Sequence, residues 1–159
     1  MSRSGYTDDD DDPLATGRWR AQVRSAIRGK RGQAFLRELI AALDAMPEKA
    51  LITEELVTAD GNVCAIGAVC KARGIDVSHV DYYSPEDIAA KVGIASQMVA
   101  EIEYENDECG YRFENVKLSE SPERPKWAPD FTWGRIEETP EERWQRMRRW
   151  AEAKLVTVP

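Results

Sequence analysis

The sequence predicts a mainly helical α+β domain, with a compact bundle of about five helices, one short β-hairpin and a long proline-rich loop. Apolar residues recur at helical spacing through most of the 159-residue chain. Residues that start and stop helices flank those segments. A chain of this length buries a substantial core as one unit, so we expect a single globular domain over residues 18–159.

Residues 1–17 are expected to form a flexible acidic arm. They include five consecutive aspartates at 8–12, followed by Pro13 and Gly17. A segment this charged has too few apolar side chains to pack, although it could become ordered against a basic partner.

The first two predicted helices cover residues 18–28 and 33–46. Each has one apolar side, with Val23 and Ile27 in the first and Leu39 and Leu43 in the second. The sequence GKRG separates them, because two glycines weaken a helix and permit a turn. The proline after Met46 ends the second helix.

The next segment, ALITEELVTADGNVCAIGAVCKARG, predicts the β-hairpin. Residues 51–58 have the composition of a strand, and Asp60-Gly61 is a typical hairpin turn. Residues 63–71 are small and apolar, which indicates a short strand running into a tightly packed helix that ends at Gly74.

Two further helices are expected at 85–91 and 94–105. Ser84 and Pro85 are typical of a helix start. Three prolines and the lack of a sustained period predict an extended loop at 115–138. Thr139 and Glu142 form a capping-box pattern at the start of a C-terminal helix over 139–155.

Aromatic residues are concentrated around the predicted loop. Trp127, Phe131 and Trp133 are expected to anchor it to the domain. The alternative is that these side chains and Tyr111 are exposed and stack on nucleic-acid bases.

Basic residues are concentrated in one segment of this acidic chain, whose formal net charge is −7. Residues 13–37 contain seven arginines and lysines and no acid. Arginines spaced by four residues present parallel guanidinium groups to phosphate or carboxylate oxygens. The candidate anion-binding residues are Arg20, Arg24, Arg28, Lys30 and Arg31. The favoured interpretation of this segment is an internal pairing with the acids of 81–123, or a solvated basic surface; anion binding and contact with a protein partner are the alternatives.

Acidic residues are concentrated in the sequence EIEYENDE. It supplies the candidate partner-binding surface, which consists of Glu101, Glu103, Glu105, Asp107 and Glu108. Carboxylates can also hold divalent cations, but the spacing of a calcium-binding loop is absent, so no metal site is predicted.

The sequence favours a non-enzymatic protein without a cofactor. His79 lies in a polar linker without a nucleophile motif. The three cysteines lack the spacing of a disulfide framework or a zinc site. No apolar segment is long enough to span a membrane, and the N-terminus lacks a secretory signal. We therefore expect a cytoplasmic protein.

Several segments together resemble a group of small uncharacterised proteins of proteobacterial tailed bacteriophages and prophages. They are AIRGKRGQAFLRELIAALDAMPEKALI, DGNVCAIGAVCKARGID, EIEYENDE and TPEERWQRMRRW. The resemblance implies a phage accessory protein made in the host cytoplasm. We expect it to bind a host or phage protein through its acidic surface, inhibiting a defence or replication factor. The alternatives are a nucleotide- or nucleic-acid-binding module that uses the basic segment, and a minor virion component.

Overall fold

Helices make up more than half of the described residues. The computed structural model describes residues 13–117, 126–127 and 131–157. Within these ranges it contains six helices and one two-stranded sheet, which confirms the mainly helical α+β class. The elements are α1 Pro13–Arg28, α2 Lys30–Ala45, α3 Ala65–Arg73, α4 Pro85–Val92, α5 Ser96–Asp107, β1 Tyr111–Lys117, β2 Phe131–Glu137 and α6 Pro140–Ala153. No helix in the described ranges is both long enough and apolar enough to cross a membrane.

The core lies where α2, α3, α5 and α6 meet. Helix α2 packs against α3 and α6, and α5 packs against α1, α3 and α4. The largest core side chains are almost completely buried, and they include Phe35, Leu39, Ile66, Met98, Ile102 and Met147. Most of these residues follow the spacing of three or four that predicted the helices.

Helix α3 packs directly on the chain that precedes it. A Cβ atom on Gly67 would lie 1.7 Å from the carbonyl oxygen of Leu56, so only glycine fits there. The hairpin expected over this region is reduced to one bridge between Val57 and Val63. The predicted turn is present, and Gly61 has the positive φ of 84° that it requires.

The hairpin of this fold lies instead in the region expected to be an extended loop. Strands β1 and β2 pair antiparallel, with Tyr111 opposite Glu137 and Lys117 opposite Phe131. The loop prediction for 115–138 is therefore wrong at 115–117 and 131–137. The three prolines fall between the strands, where they leave the hydrogen-bonded ladder intact.

The hairpin extends from the body of the domain, and all seven residues of β1 are exposed. Trp127, Phe131 and Trp133 are 84%, 53% and 69% exposed, so the expectation that they anchor a loop is wrong. The attachment lies at the base of the hairpin. There the backbone N–H of Glu138 donates to the carbonyl oxygen of Gly110 at 2.9 Å.

The N-terminal arm and the capping box of the C-terminal helix can both be compared with their predictions. Helix α1 begins at Pro13, so residues 13–17 of the predicted arm are helical, and residues 1–12 lie outside the described residues. The capping box of α6 is confirmed: the Thr139 hydroxyl accepts from the Glu142 N–H at 3.2 Å, and the Glu142 carboxylate accepts from the Thr139 N–H at 2.8 Å.

Candidate functional site

The basic segment forms one exposed surface across α1 and the start of α2. Val23 and Ile27 face the core, with 4% and 6% of their surface exposed. The arginines at 20, 24 and 28 occupy neighbouring helix positions and are exposed. Gly29 interrupts the helix with extended backbone (φ −65°, ψ 158°), and α2 resumes at Lys30. We call Arg20, Arg24, Arg28, Lys30 and Arg31 the basic face.

Two residues hold α1 and α2 in close contact beside this face. A Cβ atom on Gly32 would lie 2.1 Å from the carbonyl oxygen of Ala26, so the two backbones touch there. The buried Gln33 side chain donates to the carbonyl oxygens of Ile27 at 2.9 Å and Lys154 at 3.0 Å. It also accepts from the N–H of Val156 at 2.8 Å. The residues that follow α6 are thereby held next to the end of α1.

An open groove of about 780 Å³ lies between α1 and these C-terminal residues. Arg20, Arg24 and Arg28 line one side, and Lys154 lies on the other. Val23 and Ile27 contribute apolar surface between them. The groove also contains one carboxylate, that of Glu101, which is 8% exposed. The groove therefore combines four cations, one buried acid and an apolar floor.

Four residues of the basic face are not paired with any of the described acids. Among the described residues, no carboxylate lies within 4.0 Å of the side-chain nitrogens of Arg24, Arg28, Lys30 or Arg31. All four residues are exposed. The internal pairing predicted with residues 81–123 is therefore wrong for these four cations over the described residues 81–117, and residues 118–123 lie outside the described residues.

The five candidate partner-binding acids between Glu101 and Glu108, in contrast, are all at least partly buried. Glu101 and Glu103 are only 8% and 1% exposed, so they are not part of an acidic surface. Asp107 accepts from the Tyr82 hydroxyl at 2.7 Å, and a Glu105 oxygen lies 3.9 Å from Arg146. Three of the five predicted partner-binding acids therefore remain at least partly accessible, namely Glu105, Asp107 and Glu108.

Buried Asn106 organises the end of α5. Its amide nitrogen donates to the carbonyl oxygen of Ile52 at 2.8 Å, and its amide oxygen accepts from the N–H of Ala65 at 3.2 Å. These bonds fix α5 against the segment before α3. The asparagine carries no charge and was absent from the sequence-based site, yet it connects two distant segments of chain.

The sequence analysis also missed two arginines of α6, Arg143 and Arg146, that contact the end of α5 and Glu138. Arg143 is 9% exposed and donates to the carbonyl oxygens of Asn106 at 3.1 Å and Leu51 at 2.8 Å. It also lies 3.3 Å from a carboxylate oxygen of Glu138. The signal that could have found Arg143 was its position four residues before Met147, on the buried side of α6.

Arg146 forms the second ionic contact of Glu138. Burial is the largest single effect and lowers the pKa of this guanidinium. The hydrogen bond that Arg146 donates to Glu138 and the negative charges around it together outweigh burial, so the net pKa is raised. Arg146 therefore stays charged at neutral pH. The arginines at 143 and 146 thus support the fold, whereas Arg24 and Arg28 of α1 have no carboxylate partner among the described residues.

The cysteine thiols are poor nucleophiles in this environment. Burial raises the pKa of Cys64 to about 12, and burial followed by the charge of Glu105 raises that of Cys109 to about 12. Burial also raises the pKa of Cys70. These thiols stay protonated at neutral pH, and a protonated thiol neither attacks an electrophile nor binds a metal well. Within the described ranges, no cluster of three or more His, Cys, Asp or Glu side chains is placed to hold a metal ion.

No protein-family model matches the chain, and neither the curated proteins nor the solved structures include a significant match to it. The site must therefore be interpreted from its own geometry.

Proposed function

We propose that this protein binds a polyanion, the phosphate backbone of a nucleic acid, through its basic face. One observation carries the proposal. Arg24, Arg28, Lys30 and Arg31 are exposed and have no carboxylate partner among the described residues, whereas other arginines such as Arg73, Arg143 and Arg148 are paired. Uncompensated cations on one surface attract a polyanion.

The length of the row favours a polymer over a single nucleotide. Arg20, Arg24 and Arg28 are four residues apart, so their Cα atoms rise by about 6 Å per step along α1 and span about 12 Å. Lys30 and Arg31 extend the row past Gly29. A single phosphate contacts only part of such a row, while successive phosphates of a strand contact all of it.

The net charge of −7 does not by itself oppose this proposal, because binding of a polyanion depends on the charges close to the basic face. Glu101, the one acid among the described residues that lines the groove, is almost fully buried. Arginine side chains at the rim can contact an extended strand while its phosphates stay away from that carboxylate.

A protein partner for the acidic surface is less well supported. The burial of Glu101 and Glu103 removes two of the five acids that defined that surface. The phage origin, the action on a defence or replication factor and the role as a minor virion component remain predictions.

Fluorescence anisotropy with labelled 20-nucleotide DNA and RNA, single-stranded and duplex, tests the proposal at 50 and 200 mM salt. Four released phosphate contacts predict a loss of affinity on the order of 100-fold over this range. The R24E/R28E variant is expected to lose most of the binding and to reduce the salt slope by about 2.

The matched control is K91E/R149E, which changes the net charge equally at exposed positions away from the groove. It should lose far less affinity than R24E/R28E. Equal losses in the two variants, or affinity indifferent to salt, would refute the proposed function.

A further inference from the structure

Four of the eight side chains on one face of the β1–β2 hairpin are aromatic. Residues directly opposite each other in an antiparallel pair share a face, and so do alternate residues of one strand. The register places Phe113 opposite Arg135, and Asn115 opposite Trp133. This aromatic face consists of Tyr111, Phe113, Asn115, Lys117, Phe131, Trp133, Arg135 and Glu137.

The four rings of the aromatic face are open to solvent. Tyr111 and Phe113 are 46% and 59% exposed, and Phe131 and Trp133 are 53% and 69% exposed. Exposing four aromatic side chains on one small surface is costly in water, so such a patch on a soluble domain marks an interaction site.

Cations accompany the rings. The guanidinium of Arg135 lies 4.2 Å from the centre of the Tyr111 ring, which holds its charge against the aromatic face. Lys117 lies at the far end, opposite Phe131. The face thus combines four rings that can stack on bases with two cations that can approach phosphates. Glu137, at the end nearest the domain, lies 2.6 Å from Arg135 and offsets part of its charge.

The opposite face of the hairpin has a different character. It holds Arg112, Glu114, Val116, Thr132, Gly134 and Ile136. Val116 covers Gly134 closely, since a Cβ atom on that glycine would lie 2.6 Å from a Val116 methyl carbon. Arg112 lies 3.4 Å from Glu142 on α6. The aromatic side chains of the two strands are therefore segregated on one face only.

From this arrangement we infer that the aromatic face binds single-stranded nucleic acid by stacking on its bases. Unpaired bases offer open ring surfaces, whereas the bases of a duplex are already stacked on one another. The inference rests on the proposed function only in taking the polyanion to be a nucleic acid, and it adds a second contact surface and a preference for single strands.

The size of the hairpin favours this occupant over a protein. Seven residues per strand make it about 24 Å long, and its strands lie about 5 Å apart. One face covers on the order of 250 Å², well below the roughly 800 Å² that each partner contributes to a stable protein interface. Single-stranded bases, in contrast, are bound one at a time by individual aromatic side chains, so a small face can hold them.

The test compares F113A/W133A with V116A/T132A, a matched pair of changes on the opposite face of the same two strands. The first variant is expected to reduce affinity for a labelled 20-nucleotide single strand at least about tenfold, because each lost ring removes one stacking contact. Its affinity for the corresponding duplex should change less than about twofold. Trp133→Phe keeps a ring and should retain most of the single-strand affinity.

The outcomes separate this inference from the proposed function. Loss of single-strand binding in F113A/W133A but not in R24E/R28E supports the aromatic face and rejects the basic face. The reverse result rejects the aromatic face alone. A wild-type protein that binds no single strand, or a F113A/W133A variant that behaves like V116A/T132A, overturns the inference. So does sedimentation that shows self-association abolished by F113A/W133A with single-strand affinity unchanged, because the face would then be a contact between copies.

Discussion

The basic face and the acidic end of α5 are both highly charged in sequence, but the fold treats them in opposite ways. Asp107 and Glu105 contact Tyr82 and Arg146, and Glu103 is buried. Arg24 and Arg28 are exposed and have no carboxylate partner among the described residues. A charged segment of a sequence therefore does not by itself identify a binding surface. It is also necessary to know which of its charges are paired or buried within the protein.

The largest expected effect concerns the arginine that serves the acidic region. Replacing Arg143 by alanine leaves the carbonyl oxygen of Leu51 without its buried donor, and it removes one of two guanidinium groups that contact the Asn106 carbonyl oxygen and Glu138. We expect the free energy of unfolding to fall by about 2–4 kcal/mol in urea titrations. Arg149→Ala, at an exposed position of the same helix, should change it by less than about 0.5 kcal/mol. Similar values for both variants would show that Arg143 does not support the fold.

A smaller effect is expected where α1 and α2 touch beside the basic face. Gly32→Ala places a methyl group against the Ala26 carbonyl oxygen, so the helices must separate, at a cost of about 1–3 kcal/mol. Gly17→Ala is the matched control, since nothing lies within 4 Å of a Cβ atom there. It should stabilise α1 by about 0.5–1 kcal/mol. Thermal unfolding of both variants measures the difference, and a stabilising Gly32→Ala would contradict the close contact.

The basic face itself should lower stability slightly. Arg24 has arginines four residues before and after it, and like charges at that spacing repel. Arg24→Gln is expected to raise the free energy of unfolding by about 0.2–0.5 kcal/mol at low salt. Arg148→Gln should lower it by up to about 1 kcal/mol, because Arg148 pairs with Asp44 at 2.6 Å. Both effects should shrink in 1 M salt, and a destabilising Arg24→Gln would mean that Arg24 has a structural role.

The smallest expected effect is the pH dependence of a surface pair. The hydrogen bond from Arg148 holds the pKa of Asp44 below its ordinary value of 3.8, against a slight opposing effect of burial. The pair therefore contributes its stability above about pH 3.8 and loses it as the pH falls through the lower pKa of the folded state. As the pH is lowered from about 5 to about 3, the melting temperature of Asp44→Asn should fall less than that of the wild type. Asp60→Asn, in the exposed turn before α3, should behave like wild type.

Local sequence signals predicted the helices well and the hairpin badly. The capping box at Thr139 and Glu142 and the turn at Gly61 were predictable because each involves residues within one turn of chain. The strands at 111–117 and 131–137 were missed because 13 residues with three prolines separate them, and no short turn motif connects them. Strand pairing across such a gap depends on contacts that a local pattern does not contain.

The sequence by itself determined the helical class, the apolar sides of the helices, and an exposed row of arginines spaced by four along α1. These follow from the period of the helix and from side chains that interact within a few residues. Only the tertiary structure decided which charges are neutralised. Arg143 meets carbonyl oxygens 37 and 92 residues away, and Glu101 and Glu103 are buried by helices that are remote in sequence. Electrostatic and hydrogen-bond partners are set by distance in space, so the same count of charges is compatible with a paired interior or an open binding surface.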